Sequence, residues 1–109
     1  MAKRMTIEER RLELNSKFQN LLKSNNVYFQ PPESVKLKYD CIIYSMSSGN
    51  VKFANNRRYI GFQRYEVIHV HRDPDIELID AFADGFRYCR FDRRFVSDNL
   101  YHDVFTIYY

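Results

Sequence analysis

Histidine and cysteine are the residues of this chain whose types and spacing first suggest chemistry. His69 and His71 are two residues apart on a predicted strand, so their rings project to the same face. With His102 or Cys89 they would supply the nitrogen and sulfur ligands that transition metals prefer. Because no carboxylate is placed in the sequence to complete this set, we predict that the protein binds no metal and no cofactor.

A catalytic site needs a nucleophile beside a base, or paired carboxylates in an apolar cleft. The serines lie outside any Gly-x-Ser-x-Gly turn, the chain has no glycine-rich phosphate-binding motif, and Cys41 has no activating neighbours in sequence. Asp92, Asp98 and Asp103 fit solvated strand and turn positions better than a shared site. We therefore predict no catalytic residues, no small-molecule substrate and no enzymatic activity.

Residues 87–95 interleave four arginines with aromatic side chains. Strand alternation puts Cys89, Phe91 and Phe95 on the inner side and Arg90 and Arg94 on the outer side. Arginine between aromatics is typical of strands that stack on RNA, and arginine is also enriched at protein interfaces. Because no RNA-binding glycine pattern accompanies the stretch, we predict a protein interface first, a plain solvated surface second and nucleic-acid binding last.

Acidic residues gather on one face of the predicted second helix, at Glu77, Asp80 and Asp84. Such a face is usually solvated. In a chain that also carries an arginine-rich strand, the two surfaces could instead match between copies in a head-to-tail oligomer. These carboxylates are therefore candidate interface residues.

A dense cluster of turn residues predicts a long exposed loop over about residues 47–57. Loops of this length in small domains are often functional. Lys52, Arg57 and Arg58 supply charge and Phe53 an apolar anchor, so we predict that this segment contacts a partner. The alternative is a hairpin tip with Phe53 folded back onto the core.

One domain must position these candidates, because 109 residues and 13.3 kDa build a single hydrophobic core. With 45% hydrophobic and 28% charged residues, the composition is that of a folded soluble chain, and we assign residues 1–109 to one domain. Thr6 and Glu9 fit a capping box, and the apolar spacing after them predicts an amphipathic helix over about residues 6–24.

Apolar and polar residues alternate over residues 35–46, 58–70, 87–96 and 104–109, which predicts four strands. Asp73 followed by Pro74 signals the start of a second helix, and Gly85 ends it. The order is helix, strand, strand, helix, strand, strand. We predict an α+β fold with a mostly antiparallel four-stranded sheet that helices cover on one face.

Composition limits the partners and the compartment. The net charge of +3 is far below that of dedicated nucleic-acid binders. No apolar run approaches the roughly 18 residues that span a bilayer, and the first residues do not resemble a secretion signal, so we expect a cytosolic protein without membrane contact. Cys41 and Cys89 are predicted to be buried, reduced thiols.

Several separated segments of the chain form a recognisable set in their order and spacing: Val27–Pro32, Tyr39–Tyr44, Ala54–Asn56, Arg72–Asp75, Phe91–Arg93 and Asp98–His102. Together they resemble a family of small proteins encoded among the head-to-tail and tail genes of tailed bacteriophages, which we associate with tail terminators. The resemblance covers most of the chain after residue 26. Tyr39-Asp40-Cys41 stands where the family has Tyr-Pro-Cys, and Ala54-Asn55-Asn56 where it has Ala-Asp-Asn.

The resemblance implies a non-enzymatic protein that forms a ring, typically a hexamer, caps the tail tube and offers the docking surface for the head. Its partners would be the tail tube protein and neck or head-completion proteins, in a virion assembled in the bacterial cytoplasm. A head-completion or stopper protein is the first alternative, and a nucleic-acid-binding module is a less favoured one. The residues agree with an oligomer, because nine Tyr and nine Phe exceed the needs of one small core and the last strand, Phe105–Tyr109, could form a sheet edge.

Overall fold

Two helices and five strands form the described part of this computed structural model, which comprises residues 6–47, 63–75 and 78–109. The elements are α1 (Ile7–Leu22), β1 (Val27–Phe29), β2 (Cys41–Met46), β3 (Arg64–His71), α2 (Leu78–Gly85), β4 (Tyr88–Ser97) and β5 (Leu100–Tyr108). The α+β class is confirmed. Five residues predicted to form interfaces lie outside the described ranges: Lys52, Phe53, Arg57, Arg58 and Glu77.

Helix α1 begins at the predicted capping box. The Glu9 backbone N–H donates to Thr6 Oγ1 over 3.0 Å, and the Thr6 N–H donates to Glu9 Oε1 over 2.8 Å. The helix ends at Lys23, whose φ of 58° is left-handed. Leu14 and Phe18 are fully buried, so the predicted apolar face is the one that packs on the sheet.

The sheet has five strands in the order β1-β2-β3-β5-β4, so the prediction of four strands is one short. Strand β1 pairs in parallel with β2, and the other neighbours are antiparallel. Pro31 and Pro32 cannot donate to a ladder, but the ladder is complete before these prolines, with the Gln30 N–H donating to the Tyr44 carbonyl over 2.9 Å. Strand β2 begins at Cys41, later than predicted.

The expectation that the C-terminal strand forms a sheet edge is wrong. Asp98 and Asn99 both have positive φ and close a two-residue hairpin, which starts β5 at Leu100. Strand β5 then pairs with β3 on its other side, from Arg64↔Tyr108 to His71↔Tyr101. The ten-residue strand β4 is left at the edge.

Helices α1 and α2 cover one face of the sheet, and the main core lies between them and the strands. Phe82 of α2 stacks on Phe105 of β5 with ring centroids 4.2 Å apart. In β2 the residues of the main core are Ile42 and Tyr44, and Cys41 on the other side of the strand is also buried, because both sides of this strand are apolar. The buried core cluster comprises Leu14, Phe18, Ile42, Tyr44, Tyr65, Val67, Phe82, Phe86, Phe105 and Ile107.

Three smaller predictions can be compared with the structure. Asp73 Oδ1 accepts the Asp75 N–H over 2.9 Å, which is a bond that a helix N-cap makes, but Pro74 and Asp75 form a turn and the described part of α2 begins at Leu78. Both cysteines are free, and burial raises the pKa of Cys41 to about 12 and that of Cys89 to about 11. Neither helix of the described residues is long and apolar enough to cross a membrane.

Candidate functional site

The β4 edge presents the largest set of exposed apolar side chains on any one described strand. Tyr88, Phe91, Phe95 and Val96 are 46%, 41%, 38% and 62% exposed. The exposed side chains of Arg90 and Arg93 lie between them in sequence, and exposed Arg87 directly precedes Tyr88. We call these seven residues the β4 surface. Aromatic and arginine side chains together are the composition that anchors protein interfaces.

A one-residue β-bulge between Phe91 and Arg93 changes which side chains of β4 face the helices. Before the bulge, Phe91 lies opposite core residue Phe105, as the sequence predicts. After it the alternation is inverted. Phe95 stacks on His102 on the far face of the sheet, and Arg94 turns to the helix-covered face.

Arg94 is therefore held inside the fold and is not free on the β4 surface. Its Nε and Nη2 donate to the two carboxylate oxygens of Asp103 over 2.5 and 2.9 Å, and its Nη1 donates to the Pro74 carbonyl over 3.0 Å. Although the sequence suggests an interface role for it, three of the five N–H groups of this guanidinium are already used inside the fold, which leaves fewer for a contact with a second molecule.

Unlike Arg94, the three arginines of the β4 surface are exposed to solvent. Arg90 forms an exposed ion pair with Asp92 over 2.6 Å. Burial raises the pKa of Asp92, but hydrogen bonds from Thr106 and Arg90 outweigh it, and the pKa is lowered overall. Arg93 lies over the Phe95 ring at 5.6 Å and has no carboxylate within ion-pair distance among the described residues.

The acidic face of α2 is exposed as the sequence predicts. Asp80 and Asp84 both face solvent, and neither forms an ion pair within the described ranges. Both signs of charge are thus exposed on one chain, which allows contacts between copies.

A buried ion-pair network lies beneath α2, where the sequence reasoning expected no site. His71, Asp103 and His69 are fully buried. His71 Nε2 lies 2.8 Å from Asp103 Oδ2, and its Nδ1 lies 2.9 Å from the Asp73 carbonyl oxygen. Both partners are oxygen atoms that accept, so the two contacts together place a donor at each ring nitrogen, which is the arrangement that a doubly protonated imidazole satisfies.

The carboxylate of Asp103 accepts hydrogen bonds from the side chains of Arg94 and His71. Burial raises the pKa of its carboxyl group, but the hydrogen bonds from Arg94 and His71 outweigh this effect and lower it below its usual range. The ionised carboxylate joins β5 to Arg94 of β4 and His71 of β3. The contacts of Arg94 and His71 to the Pro74 and Asp73 carbonyls also fix the turn that precedes α2.

His69 lies beside this network without taking part in it. Its ring is stacked 4.5 Å from that of His71, and neither ring nitrogen has a hydrogen-bond partner among the described residues. Burial, and then the nearby charge of His71, lower the pKa of His69 to about 4. The ring is therefore neutral at pH 7.

These residues also provide the carboxylate that the sequence reasoning found missing from a metal site. Ligand atoms of His69, His71 and Asp103 all lie within 4.8 Å of one another, whereas His102 is stacked on Phe95 on the opposite face. The donor set nevertheless fits ion pairing better than a metal. Arg94 occupies both oxygens of Asp103, and both nitrogens of His71 carry protons that a metal would have to displace.

We therefore keep the prediction that no metal is bound. Protein purified without chelators is expected to contain no stoichiometric zinc, nickel or iron by elemental analysis, because two of the three clustered ligands in the described residues, His71 and Asp103, are already paired and His69 alone would hold a metal weakly. A one-to-one metal content that survives dialysis would contradict this prediction.

One sequence signal could have revealed the Arg94–Asp103 pair. Arg94 and Asp103 are equally distant from the Asp98-Asn99 turn, so a two-residue hairpin places them directly opposite each other. Using this signal requires that Asp98-Asn99 be identified as the turn and that β5 start immediately after it. The burial of the pair, in contrast, depends on how α2 covers the sheet.

Comparisons of the chain with protein-family models, curated proteins and solved structures find no match. The assignment of function therefore depends on the chemistry of the described surfaces and on the sequence resemblance.

Proposed function

We propose that this protein is a tail terminator of a tailed bacteriophage, a non-enzymatic virion protein that forms a hexameric ring. The ring caps the tail tube and offers the docking surface for the head. The observation that carries the proposal is the β4 surface, a ten-residue edge strand with four large exposed apolar side chains. The resemblance of the sequence to tail terminators is the reason why we propose a hexameric ring among the possible oligomers.

An edge strand of this kind favours assembly. Among the described strands β4 pairs only with β5, and long exposed apolar edges invite pairing with other chains. The other edge of the sheet, β1, has three residues and is followed by Pro31 and Pro32. Proline and short length are the features that normally block an edge. Contact with another molecule would therefore concentrate at β4.

Complementary charges support a ring over a two-fold dimer. The β4 surface is basic, whereas Asp80 and Asp84 lie on a different element of the same chain. A contact between two different surfaces is head-to-tail, and repeated head-to-tail contacts close into a ring when the rotation permits. Such contacts between copies are also steered by charge.

The remaining partners would be the tail tube protein and a neck or head-completion protein, in the neck of a virion assembled in the bacterial cytoplasm. The loop over residues 47–57, with Lys52, Phe53 and Arg57, is the proposed contact to the tail component; Arg58 follows it. This loop lies outside the described residues except at Ser47. A head-completion or stopper protein is the alternative from the same part of the virion.

Purified protein is expected to form rings in negative-stain electron micrographs and to sediment as a closed oligomer. The reason is that apolar contact across the β4 surface stabilises association. Tail tubes incubated with the protein should acquire a cap at one end. Rings that form without capping tubes would favour the connector alternative. A monomer at all concentrations, with or without tubes, would contradict the proposal.

Nucleic-acid binding is the second candidate, favoured by the exposed arginines of the β4 surface. Its aromatic rings are partly occupied, however, because Phe95 stacks on His102 and lies under Arg93. Oligonucleotide affinity measured at two salt concentrations separates the candidates. Binding to phosphates must weaken steeply as salt rises, and we expect no such binding.

A further inference from the structure

We propose that the outer face of α1, centred on Leu12, receives the β4 surface of the next copy in the ring. The inference depends on the proposed function, because it names the second half of the contact between copies. Among the described elements, it assigns the partner surface to α1 instead of the acidic face of α2.

The outer face of α1 combines an apolar centre with carboxylates. Leu12 is 53% exposed, a large fraction for a leucine in the middle of a helix. Glu8 and Glu9 lie four and three residues before it, so both flank Leu12 on the helix surface. Both glutamates are exposed. We call Glu8, Glu9 and Leu12 the α1 patch.

The β4 surface has the complementary arrangement. Its exposed aromatic rings lie beside guanidinium groups, with Arg93 over Phe95 and Arg87 over Tyr88. An aromatic ring holds a guanidinium in place but does not neutralise its charge. In a contact between the two surfaces, Leu12 would pack on the aromatic rings, and the glutamates around it would pair with the arginines. Such a contact has both the apolar centre and the charged rim of a protein interface.

In its described part, Leu78–Gly85, the acidic face of α2 lacks the apolar half of this match. Asp80 and Asp84 are exposed, and the exposed residues beside them in this range are Ala83 and Gly85. Small side chains bury little area, and charge alone steers encounter more than it stabilises a contact. The α1 patch therefore fits the β4 surface better.

The two surfaces also point in different directions on one chain. Arg10 and Lys17 lie over Tyr109, which follows β5, while Arg11 lies over Phe29 of β1. At 100° per residue, Leu12 lies beyond Arg11 on the β1 side of the helix, away from Arg10 and Lys17. Strand β4 is at the other edge of the sheet. This is the layout that a head-to-tail contact requires.

The test uses two charge reversals, Arg93→Glu and Glu8→Lys, with ring formation by sedimentation and electron microscopy as the readout. Each variant alone is expected to raise the concentration for half-assembly by about tenfold or more, because like charges then face each other. The double variant, which restores opposite charges, should assemble like the unmodified protein. Leu12→Ser should weaken assembly by a similar factor through its apolar contact.

A mixture of the two single variants provides the sharpest measurement. In an alternating ring, each contact joins either both reversed charges or two original ones, so the mixture should form rings at a lower concentration than either variant alone. Thermal unfolding of each variant controls for folding, and all the substituted side chains are exposed. Asp80→Lys is the matched control and should not rescue Arg93→Glu.

The outcomes distinguish this inference from the proposed function. If Asp80→Lys rescues Arg93→Glu while Glu8→Lys does not, the partner is α2 and the inference is overturned although the ring remains. If Glu8→Lys and Leu12→Ser assemble like the unmodified protein, the inference also fails. If the unmodified protein forms no ring with or without tail tubes, the proposed function fails as well.

Discussion

The Asp103→Ala variant is expected to lower the free energy of unfolding by about 3 kcal/mol. Breaking a buried ion pair from one side typically costs about 3 to 5 kcal/mol, because the remaining charge is left without a partner. Here His71 stays fully buried, whereas Arg94 is 28% exposed in its side chain and can be partly rehydrated, so the lower end applies. The total free energy of unfolding of a domain of this size is about 5 to 15 kcal/mol, so this loss is a large part of it.

Urea unfolding measures this loss, and the melting temperature should fall by on the order of 10 to 20 °C. Arg90→Ala removes the exposed ion pair to Asp92 on the same strand and should leave the transition nearly unchanged. The double variant Asp103→Leu with Arg94→Met should lose less than Asp103→Ala, because fewer buried charges lack a partner. A loss for Asp103→Ala no larger than that for Arg90→Ala would show that the network contributes little.

The stability of the protein is expected to fall by about 3 kcal/mol between pH 6.5 and pH 4, because of His69. In the unfolded chain this ring takes up a proton near its usual pKa of 6.5, whereas burial in the folded chain lowers the pKa to about 4. Between these values the unfolded state binds more protons, so the free energy of unfolding decreases as the pH falls. A difference of about 2.5 units corresponds to about 3 kcal/mol.

Urea unfolding at several pH values, compared with His69→Phe, isolates this contribution. The variant keeps an aromatic ring beside His71 and Phe82 but cannot take up a proton, so its stability should change much less over this range. His69→Leu is a smaller replacement and covers the case in which phenylalanine is too large for the site. The matched control His102→Leu, on the opposite face, should retain the acid loss. Equal slopes for His69→Phe and the unmodified protein would exclude His69 as the cause.

Local signals in the sequence were sufficient for most of the secondary structure. The Thr6–Glu9 capping box starts α1, and alternation identified β3, β4 and β5. These features depend on neighbours a few residues apart, so a single sequence contains the necessary information. Local patterning also predicted that the side chains of Asp80, Asp84 and Arg90 are exposed, because polar residues on one face of an amphipathic element stay in water.

Tertiary structure alone decided which side chains of β4 are exposed and which are buried. One extra residue at the Phe91–Arg93 bulge inverted the alternation of β4, and this turned Arg94 inward to Asp103 and left Phe95 outside. A bulge is a property of the pairing between two strands, and apolar alternation within one strand does not encode it. The position of β4 at the sheet edge likewise depends on β5 pairing with β3, a contact between residues distant in sequence. The exposed β4 surface and the buried network therefore both follow from strand pairing, which local patterns of residues do not determine.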